Sequence, residues 1–233
     1  MQKTLTTTTS SRDGLIRDLN LISGNKLNSI ERNLNDYWMS AFNKYKGLSI
    51  DTFKGAVKAG EITISEPISE NTQINFPQLK SKWNGEISKT PSSYIITVDG
   101  QIAKIGALKS GVKGSSFGQY LTGITGSPSR RSAGGYTFLY AMLANGKKVE
   151  VYHVTMDTKT DVKIPTLDGV VAKEVHYEYR DIEAANIDAY RKKSGGSVPF
   201  LNLKERNVTY PRVFDELYDL INTRILSTKK YTE

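Results

Sequence analysis

Hydrophobic side chains near the N-terminus recur at helical spacing. Between Asn28 and Lys46 the apolar and aromatic residues return every three or four positions, at Ile30, Leu34, Tyr37, Trp38, Phe42 and Tyr45. This period predicts an amphipathic helix that ends near Gly47. A second helix is predicted from Ser49 to Ala59, and the alternation from Glu61 to Ser65 predicts a short strand.

The clearest strand signal is a hairpin between residues 93 and 106. Two β-rich runs, Ser93 to Val98 and Gln101 to Gly106, flank Asp99-Gly100, a pair that is typical of tight hairpin turns. The polar stretch from Pro67 to Pro91, which precedes the hairpin, has no sustained period. It therefore predicts a junction between an N-terminal helical part and a core.

Further elements follow the hairpin. The patterns predict three helices, one strand and one loop: helices from about Gly135 to Ala144, Arg180 to Lys193 and Pro211 to Leu226, a strand from Lys148 to Met156, and a loop from Asp157 to Val170. Asn145-Gly146 is expected to end the first of these helices.

Composition excludes several kinds of site. The chain has 233 residues, 38% of them hydrophobic, which is enough for a buried core, and it contains no Cys. Disulfides, Cys-ligated zinc and thiol nucleophiles are therefore excluded. With only two His residues, His153 and His176, any catalytic metal is expected to bind carboxylates and water. The net charge of +8 favours a polyanionic partner such as nucleic acid.

Membrane insertion is not expected. No segment approaches the roughly 18 consecutive apolar residues of a membrane span, and the N-terminus has no apolar run followed by a cleavage signal. We therefore expect no membrane partner and an intracellular, cytoplasmic location.

The hairpin carries a family resemblance. Tyr94 lies on its first arm and Lys104 on its second, which ends Lys104-Ile105-Gly106. This arrangement resembles the GIY-YIG nuclease superfamily, and Lys in place of the second Tyr is similar to the Hpy188I-like type II restriction endonucleases. Four further segments match in family order: Phe117 to Tyr120 with Gly123, Gly135 to Leu139, Lys147 to Tyr152, and Arg180 to Ala184, followed by Pro199 to Asn202.

The resemblance implies a fold and a domain organisation. An α/β (α+β) fold is expected, with a small central three-stranded, mainly antiparallel sheet flanked by helices, and with a helical N-terminal extension. Residues 1–12 are expected to form a disordered tail and 13–90 a mainly helical DNA-binding or dimerisation region. The nuclease core then spans 91–205, and 206–233 form a C-terminal helix.

The resemblance also implies chemical roles. Glu183 would bind one divalent cation, Mg²⁺ or Mn²⁺, that keeps several waters. Tyr94 would act on the attacking water, as a general base or by orienting it. Lys104 would lower the pKa of Tyr94 or take the proton itself, and Asn202 would orient its neighbours or the phosphate.

One position departs from the family. Where family members carry an Arg that contacts the scissile phosphate, this chain has Ser116. We expect Arg130 or Arg131, in a basic and flexible loop, to supply that cation. Lys109, Lys113 and the same two arginines are the predicted DNA-binding residues.

The catalytic assignment requires a particular turn. Side chains alternate faces along a strand, so a two-residue Asp99-Gly100 turn would pair Tyr94 with Ile105 and leave Lys104 on the other face. We therefore predict a three-residue turn, Val98 to Gly100, with a bulge at Gly100 that pairs Tyr94 with Lys104.

The predicted function is sequence-specific cleavage of double-stranded DNA, as in type II restriction enzymes of bacteria or phages. The enzyme is expected to act as a homodimer in which each subunit cuts one strand. Two alternatives remain open. One is a nuclease of the Asp…Glu-x-Lys type, suggested by Asp157-Thr158-Lys159 and Asp161-Val162-Lys163. The other is a non-catalytic DNA-binding protein with a degenerate nuclease fold.

Overall fold

The structure is a computed structural model. It describes residues 29–64 except 31, 79–84, 92–109, 115–121, 129–155, 159–176 except 168, and 179–219 except 204, 205, 207 and 208. The predictions for the tail at 1–12, for Lys113 and for the chain beyond 219 lie outside these residues.

The first helix, α1, is described at 29–30 and 32–43 and confirms the helical period. Its buried side chains are spaced four residues apart, at Ile30, Leu34, Trp38 and Phe42. One stripe of the helix therefore packs into the main core. Trp38 Nε1 also donates a hydrogen bond of 3.2 Å to Thr137 Oγ1, which satisfies the polar atom of a buried indole.

The centre of the protein is a five-stranded antiparallel sheet. Its order is β2-β1-β5-β3-β4. The strands are β1 (Val57–Ile64), β2 (Leu79–Trp83), β3 (Ser92–Val98), β4 (Gln101–Leu108) and β5 (Val149–Thr155). The α+β class is confirmed, but the predicted three-stranded sheet is wrong, because β1 and β2 add two strands beyond β5.

Three sequence predictions fail in the regions that form these extra strands. The helix predicted from Ser49 to Ala59 is a short 3-10 turn, Ile50–Thr52, followed by β1. Gly55 adopts a φ of +84°, which ends helical structure, and pairing with β5 then sets the conformation of the segment. The stretch expected to lack regular structure contains β2, so the mainly helical character expected for 13–90 does not hold in its second half.

Helices cover both faces of the sheet. They are α2 (Ser115–Leu121), α3 (Arg130–Ala144), α4 (Tyr179–Lys193) and α5, described at 212–219. The larger core cluster joins α1, α2, α3 and α5 to one face, whereas a smaller cluster packs Ile187 and Tyr190 of α4 against Ile95 and Ile105 on the other face. Among the described helices none combines the length and apolar character required to cross a membrane.

A separate antiparallel ribbon replaces the loop predicted from Asp157 to Val170. It consists of β6 (Lys159–Thr166) and β7 (Gly169–His176). Gly169, at a φ of +122°, follows the turn, and Leu167 and Val170 are exposed there. Pairing between the two strands overrides the weak local pattern.

Helix α3 begins earlier than predicted. Ser129 is its N-cap, and Ser129 Oγ accepts a hydrogen bond of 3.1 Å from the Ser132 backbone N–H. Arg130 and Arg131 are therefore in the first turn of a helix, not in a flexible loop. The predicted loop location is wrong because the capping serine outweighs the small, polar residues around it.

The β3–β4 turn also differs from the prediction. Val98 pairs directly with Gln101, so the loop has two residues, Asp99 at a φ of 48° and Gly100 at 77°. Both positive φ values fit a type I′ hairpin turn, which Asp-Gly favours. Asp99 Oδ1 also accepts a hydrogen bond of 2.8 Å from the Lys148 backbone N–H, which links the turn to β5.

The predicted pairing of Tyr94 with Lys104 is wrong, but a β-bulge gives the two side chains the shared face that the predicted turn was meant to provide. It places one unpaired residue, Ala103, in β4, so that Ile96 pairs with Lys104 and Tyr94 with Gly106. Because paired residues share a face and alternate residues of a strand return to it, Tyr94 and Lys104 lie on the same face of the hairpin.

Candidate functional site

A cleft of about 610 Å³ lies where β4, α3 and α4 meet the segment after α4. Lys104 of β4, Arg131 of α3 and Glu183 of α4 line it, and Tyr210 lines it as well. These residues are far apart in sequence, and the fold brings them to one place. The cleft is therefore the candidate site.

Tyr94 is buried, with 2% of its surface exposed, and its phenol is within electrostatic reach of Arg131 and Glu183, which line the cleft. Its Oη donates a hydrogen bond of 3.0 Å to Tyr120 Oη on α2. Gly106 makes room for the Tyr94 ring, because a Cβ at Gly106 would lie 2.3 Å from the ring carbon Cζ. The absence of a side chain at Gly106 thus allows the Tyr94 ring to pack against the second arm of the hairpin.

The tyrosines and the charged groups of the site influence one another. Burial, followed by the nearby Tyr120, raises the pKa of Tyr94 well above its usual value, although Arg131 opposes the shift. The pKa of Arg131 is raised mainly by Tyr120, with Tyr94 and Glu183 adding to the effect. Tyr94 is consequently a neutral phenol near pH 7, and Arg131 is the cation that acts on it.

Glu183 is loosely paired in this setting. Its side chain is 22% exposed, and Arg131 Nη2 lies 4.0 Å from its Oε1. The described residues contain no group of three or more His, Asp or Glu side chains positioned to bind a metal ion. A single partly exposed carboxylate beside a cleft fits Mg²⁺, which binds one or two carboxylates and otherwise takes water and substrate phosphate.

Arg130 and Arg131 are neighbours in sequence but have different surroundings. Arg130 forms an ion pair with Asp215 of α5, and its guanidinium lies 5.9 Å, 5.8 Å and 5.7 Å from the ring centroids of Tyr210, Phe214 and Tyr218. Arg131 lines the cleft instead. Of the two candidates for the phosphate cation, the structure places Arg131 at the site and Arg130 against α5.

Asn202 is fully buried and holds β4. Its Oδ1 accepts a hydrogen bond of 3.1 Å from the Ile105 backbone N–H, and its Nδ2 donates one of 3.1 Å to the Ile105 carbonyl. Leu201 N–H donates to the Ala103 carbonyl at 2.8 Å. Asn202 therefore fixes the backbone next to Lys104, and it is not among the described residues that line the cleft.

The remaining candidates lie away from these groups. Lys109 is exposed just after β4, at the end of the hairpin. His153 is half-buried on β5, and burial lowers its pKa. For the alternative nuclease motif, Asp161 and Lys163 lie in β6, outside the five-stranded sheet, and 157–158 are not among the described residues.

Sequence reasoning missed three charged residues of the cleft, all on α4: Arg180, Asp188 and Arg191. Arg180 and Arg191 recur with Glu183 at intervals of three and eight residues, which places all three on one helical face. The same period that predicted the helix could have identified this charged stripe.

Comparisons with solved structures include two distant likenesses. No family model and no curated protein matches the chain. A mutant of bacteriophage T4 EndoII is 18% identical with a TM-score of 0.40, and the match covers 66% of this chain and 95% of that one. The restriction endonuclease Hpy188I in complex with product DNA is 15% identical with a TM-score of 0.35, covering 66% and 85%. At these TM-scores neither structure assigns a fold or an activity to this chain.

Proposed function

We propose that the protein is a metal-dependent endonuclease that hydrolyses phosphodiester bonds of double-stranded DNA at a GIY-YIG-type site. The observation that carries the proposal is the meeting of Lys104, Arg131 and Glu183 around one cleft. The buried phenol of Tyr94 interacts electrostatically with two of them, Arg131 and Glu183. Hydrolysis of a phosphodiester needs charge stabilisation at phosphorus, an oriented water and a proton route. Each need has a candidate among these four side chains.

Arg131 is assigned to the scissile phosphate. Its guanidinium offers several donors and stays charged, since Tyr120 and Glu183 both raise its pKa. It takes over the role of the arginine that the family resemblance places at Ser116 of α2. Arg130 is assigned a structural role, because Asp215 and the aromatic rings of α5 already surround it.

Glu183 is assigned to hold the divalent cation. When bound, Mg²⁺ would neutralise charge on the phosphate and lower the pKa of a bound water. Tyr94 is assigned to orient the attacking water or the phosphate, because burial keeps its phenol protonated. Its one O–H, which donates to Tyr120 in this structure, would turn to that ligand. Lys104, only 4% exposed, is the proton acceptor or donor that remains on the same face.

Recognition of a defined DNA sequence, action as a homodimer and an intracellular location complete the proposal. A dimer would present one site to each strand of a duplex, which is the simplest symmetric way to cut both.

The proposal is tested by digesting a long sequenced duplex with Mg²⁺ or with EDTA. Wild type should give discrete fragments only with Mg²⁺, and Glu183→Gln and Lys104→Met should abolish them. Two variants serve as matched controls: Glu216→Gln, whose side chain is 47% exposed on α5, and Lys80→Met, which is exposed on β2. Both controls should cut like wild type.

Other results would select the alternatives. Cleavage that survives Glu183→Gln but is lost in Asp161→Asn would favour the Asp…Glu-x-Lys type. Salt-sensitive binding to DNA without any cleavage would favour the non-catalytic protein.

A further inference from the structure

The face of α4 that borders the cleft carries two arginines to which the proposed reaction assigns no role. Arg180 is exposed and lies one turn before Glu183, and Arg191 lies two turns after it. All three line the cleft. The assignments above give Glu183 to the metal ion and give no task to either arginine.

The spacing of these arginines exceeds that of a single phosphate. Arg180 and Arg191 are separated by 11 positions, which corresponds to about 16 Å along a helix axis. The rise per nucleotide along a duplex axis is about 3.4 Å. A single phosphate at Glu183 therefore does not account for both side chains, whereas a strand that runs along the helix does.

The balance of charge also fits a polyanion. The cleft is lined by four cations, Lys104, Arg131, Arg180 and Arg191, and by two carboxylates, Glu183 and Asp188. Asp188 Oδ1 accepts a hydrogen bond of 2.8 Å from Arg191 Nη1. This contact orients the guanidinium on the helix surface and leaves its other donors to a ligand.

We infer that α4 is a track for the sugar-phosphate backbone of one DNA strand, in which Arg180 and Arg191 bind phosphates on opposite sides of the phosphate at Glu183. The inference rests on the proposed function and adds to it the direction of the strand through the site. Arg180 and Arg191 are binding residues in this arrangement, and the reacting atoms lie between them. Asp188 is a positioning residue for Arg191.

The test is the salt dependence of binding to a random-sequence duplex in EDTA, where cleavage does not interfere. Each lost phosphate contact lowers the slope of log Kobs against log salt concentration by about 0.9. Arg180→Ala and Arg191→Ala should each reduce the slope by about 0.9, and the double variant by about 1.8. Arg180→Lys and Arg191→Lys should keep most of the wild-type slope, because the charge is retained.

Arg212→Ala is the matched control, since the Arg212 side chain is 92% exposed on α5 and outside the cleft. It should leave the slope unchanged. Thermal unfolding of every variant would show that the changes are local.

The outcomes separate this inference from the proposed function. If wild type cuts DNA but the two alanine variants keep its slope, α4 is not a strand track and the nuclease proposal stands. If wild type binds with the expected slope changes but never cuts, the track stands and the nuclease proposal fails. If wild type has no salt-dependent affinity for duplex DNA, both fail.

Discussion

Glu150 and Glu183 both lie beside cations, but their surroundings differ. Glu150 on β5 has a side chain that is 9% exposed, and its Oε1 lies 2.7 Å from Lys58 Nζ and 2.8 Å from Lys148 Nζ. Tyr152 Oη donates a further hydrogen bond of 3.4 Å to Glu150. Glu183 on α4 is 22% exposed, and the ion pair described for it, with Arg131, has a separation of 4.0 Å.

The difference distinguishes a structural carboxylate from one suited to a ligand. The oxygens of Glu150 are occupied by Lys58 of the neighbouring strand β1, by Lys148 immediately before β5 and by Tyr152 of β5 itself. The charge of Glu150 therefore stabilises the sheet. Glu183 is near a guanidinium without close contact, and it borders a cleft of about 610 Å³. A carboxylate with this loose ion pair at the border of a cleft is suited to accept a metal ion.

The largest expected effect comes from Glu183→Gln. The change keeps the shape of the side chain and removes its charge, so metal-dependent cleavage should fall on the order of 10³-fold. Stability should change by no more than about 0.5 kcal/mol, because the pairing of Glu183 is loose. Single-turnover cleavage and thermal unfolding measure the two effects. If Glu183→Gln were strongly destabilised but still cut DNA, Glu183 would be the structural carboxylate and the contrast with Glu150 would be wrong.

The next largest effect concerns the adjacent arginines. Arg131→Ala should lower the cleavage rate about 10²-fold with little loss of stability, since it removes a donor to the phosphate. Arg130→Ala should leave the cleavage rate nearly unchanged but lower the free energy of unfolding by about 1 kcal/mol, because Arg130 interacts with α5. Adding Ser116→Arg to Arg131→Ala should restore part of the rate. Equal cleavage rates in the two alanine variants would refute the assignment of Arg131.

Glu150→Gln should affect stability and spare cleavage. It removes one member of a hydrogen-bonded ion network on the sheet, which is expected to lower the free energy of unfolding by about 2 kcal/mol. Urea unfolding compared with Lys80→Met, an exposed position on β2, measures the loss. If the cleavage rate fell while the free energy of unfolding stayed at the wild-type value, Glu150 would act in the reaction and not in the stability of the sheet.

The smallest effect is the pH dependence of the same network. Burial opposes ionisation of Glu150, yet the hydrogen bonds from Lys148 and Lys58 hold the pKa of its carboxyl below the usual value. A carboxyl whose pKa is lower in the folded protein stabilises it above the unfolded pKa of about 4.3, and that stability is lost as pH falls through the folded value. The stability gap between wild type and Glu150→Gln should narrow below about pH 4. If this difference in stability increased on acidification, the stabilising role of ionised Glu150 in the network would be refuted.

The local pattern of residues was sufficient to predict those elements of the fold that depend on residues close together in the sequence. The period of Ile30, Leu34, Trp38 and Phe42 predicted α1, and Asp99-Gly100 predicted the hairpin. Contacts between distant residues decided the rest. The predicted bulge position, Gly100, was wrong. The bulge forms at Ala103, whose carbonyl accepts a hydrogen bond from the backbone N–H of Leu201, 98 residues along the chain.

The site could be predicted in part for the same reason. Tyr94, Lys104 and Glu183 carry the family resemblance, and the fold brings them to one region. The choice between Arg130 and Arg131 depended on α5, which provides Asp215 and its neighbouring rings to Arg130 alone. No local sequence signal distinguishes two consecutive arginines at the start of a helix.

The contacts of Leu201 and Asn202 with β4 also cover part of one edge of the five-stranded sheet. An unpaired edge strand can recruit strands of other chains and begin aggregation. Here Leu201 and Asn202 occupy outward backbone groups of Ala103 and Ile105 on β4. At the opposite edge of the sheet, β2 presents the exposed lysines Lys80 and Lys82, whose charge disfavours strand addition. Both edges of the five-stranded sheet thus disfavour the addition of a further strand.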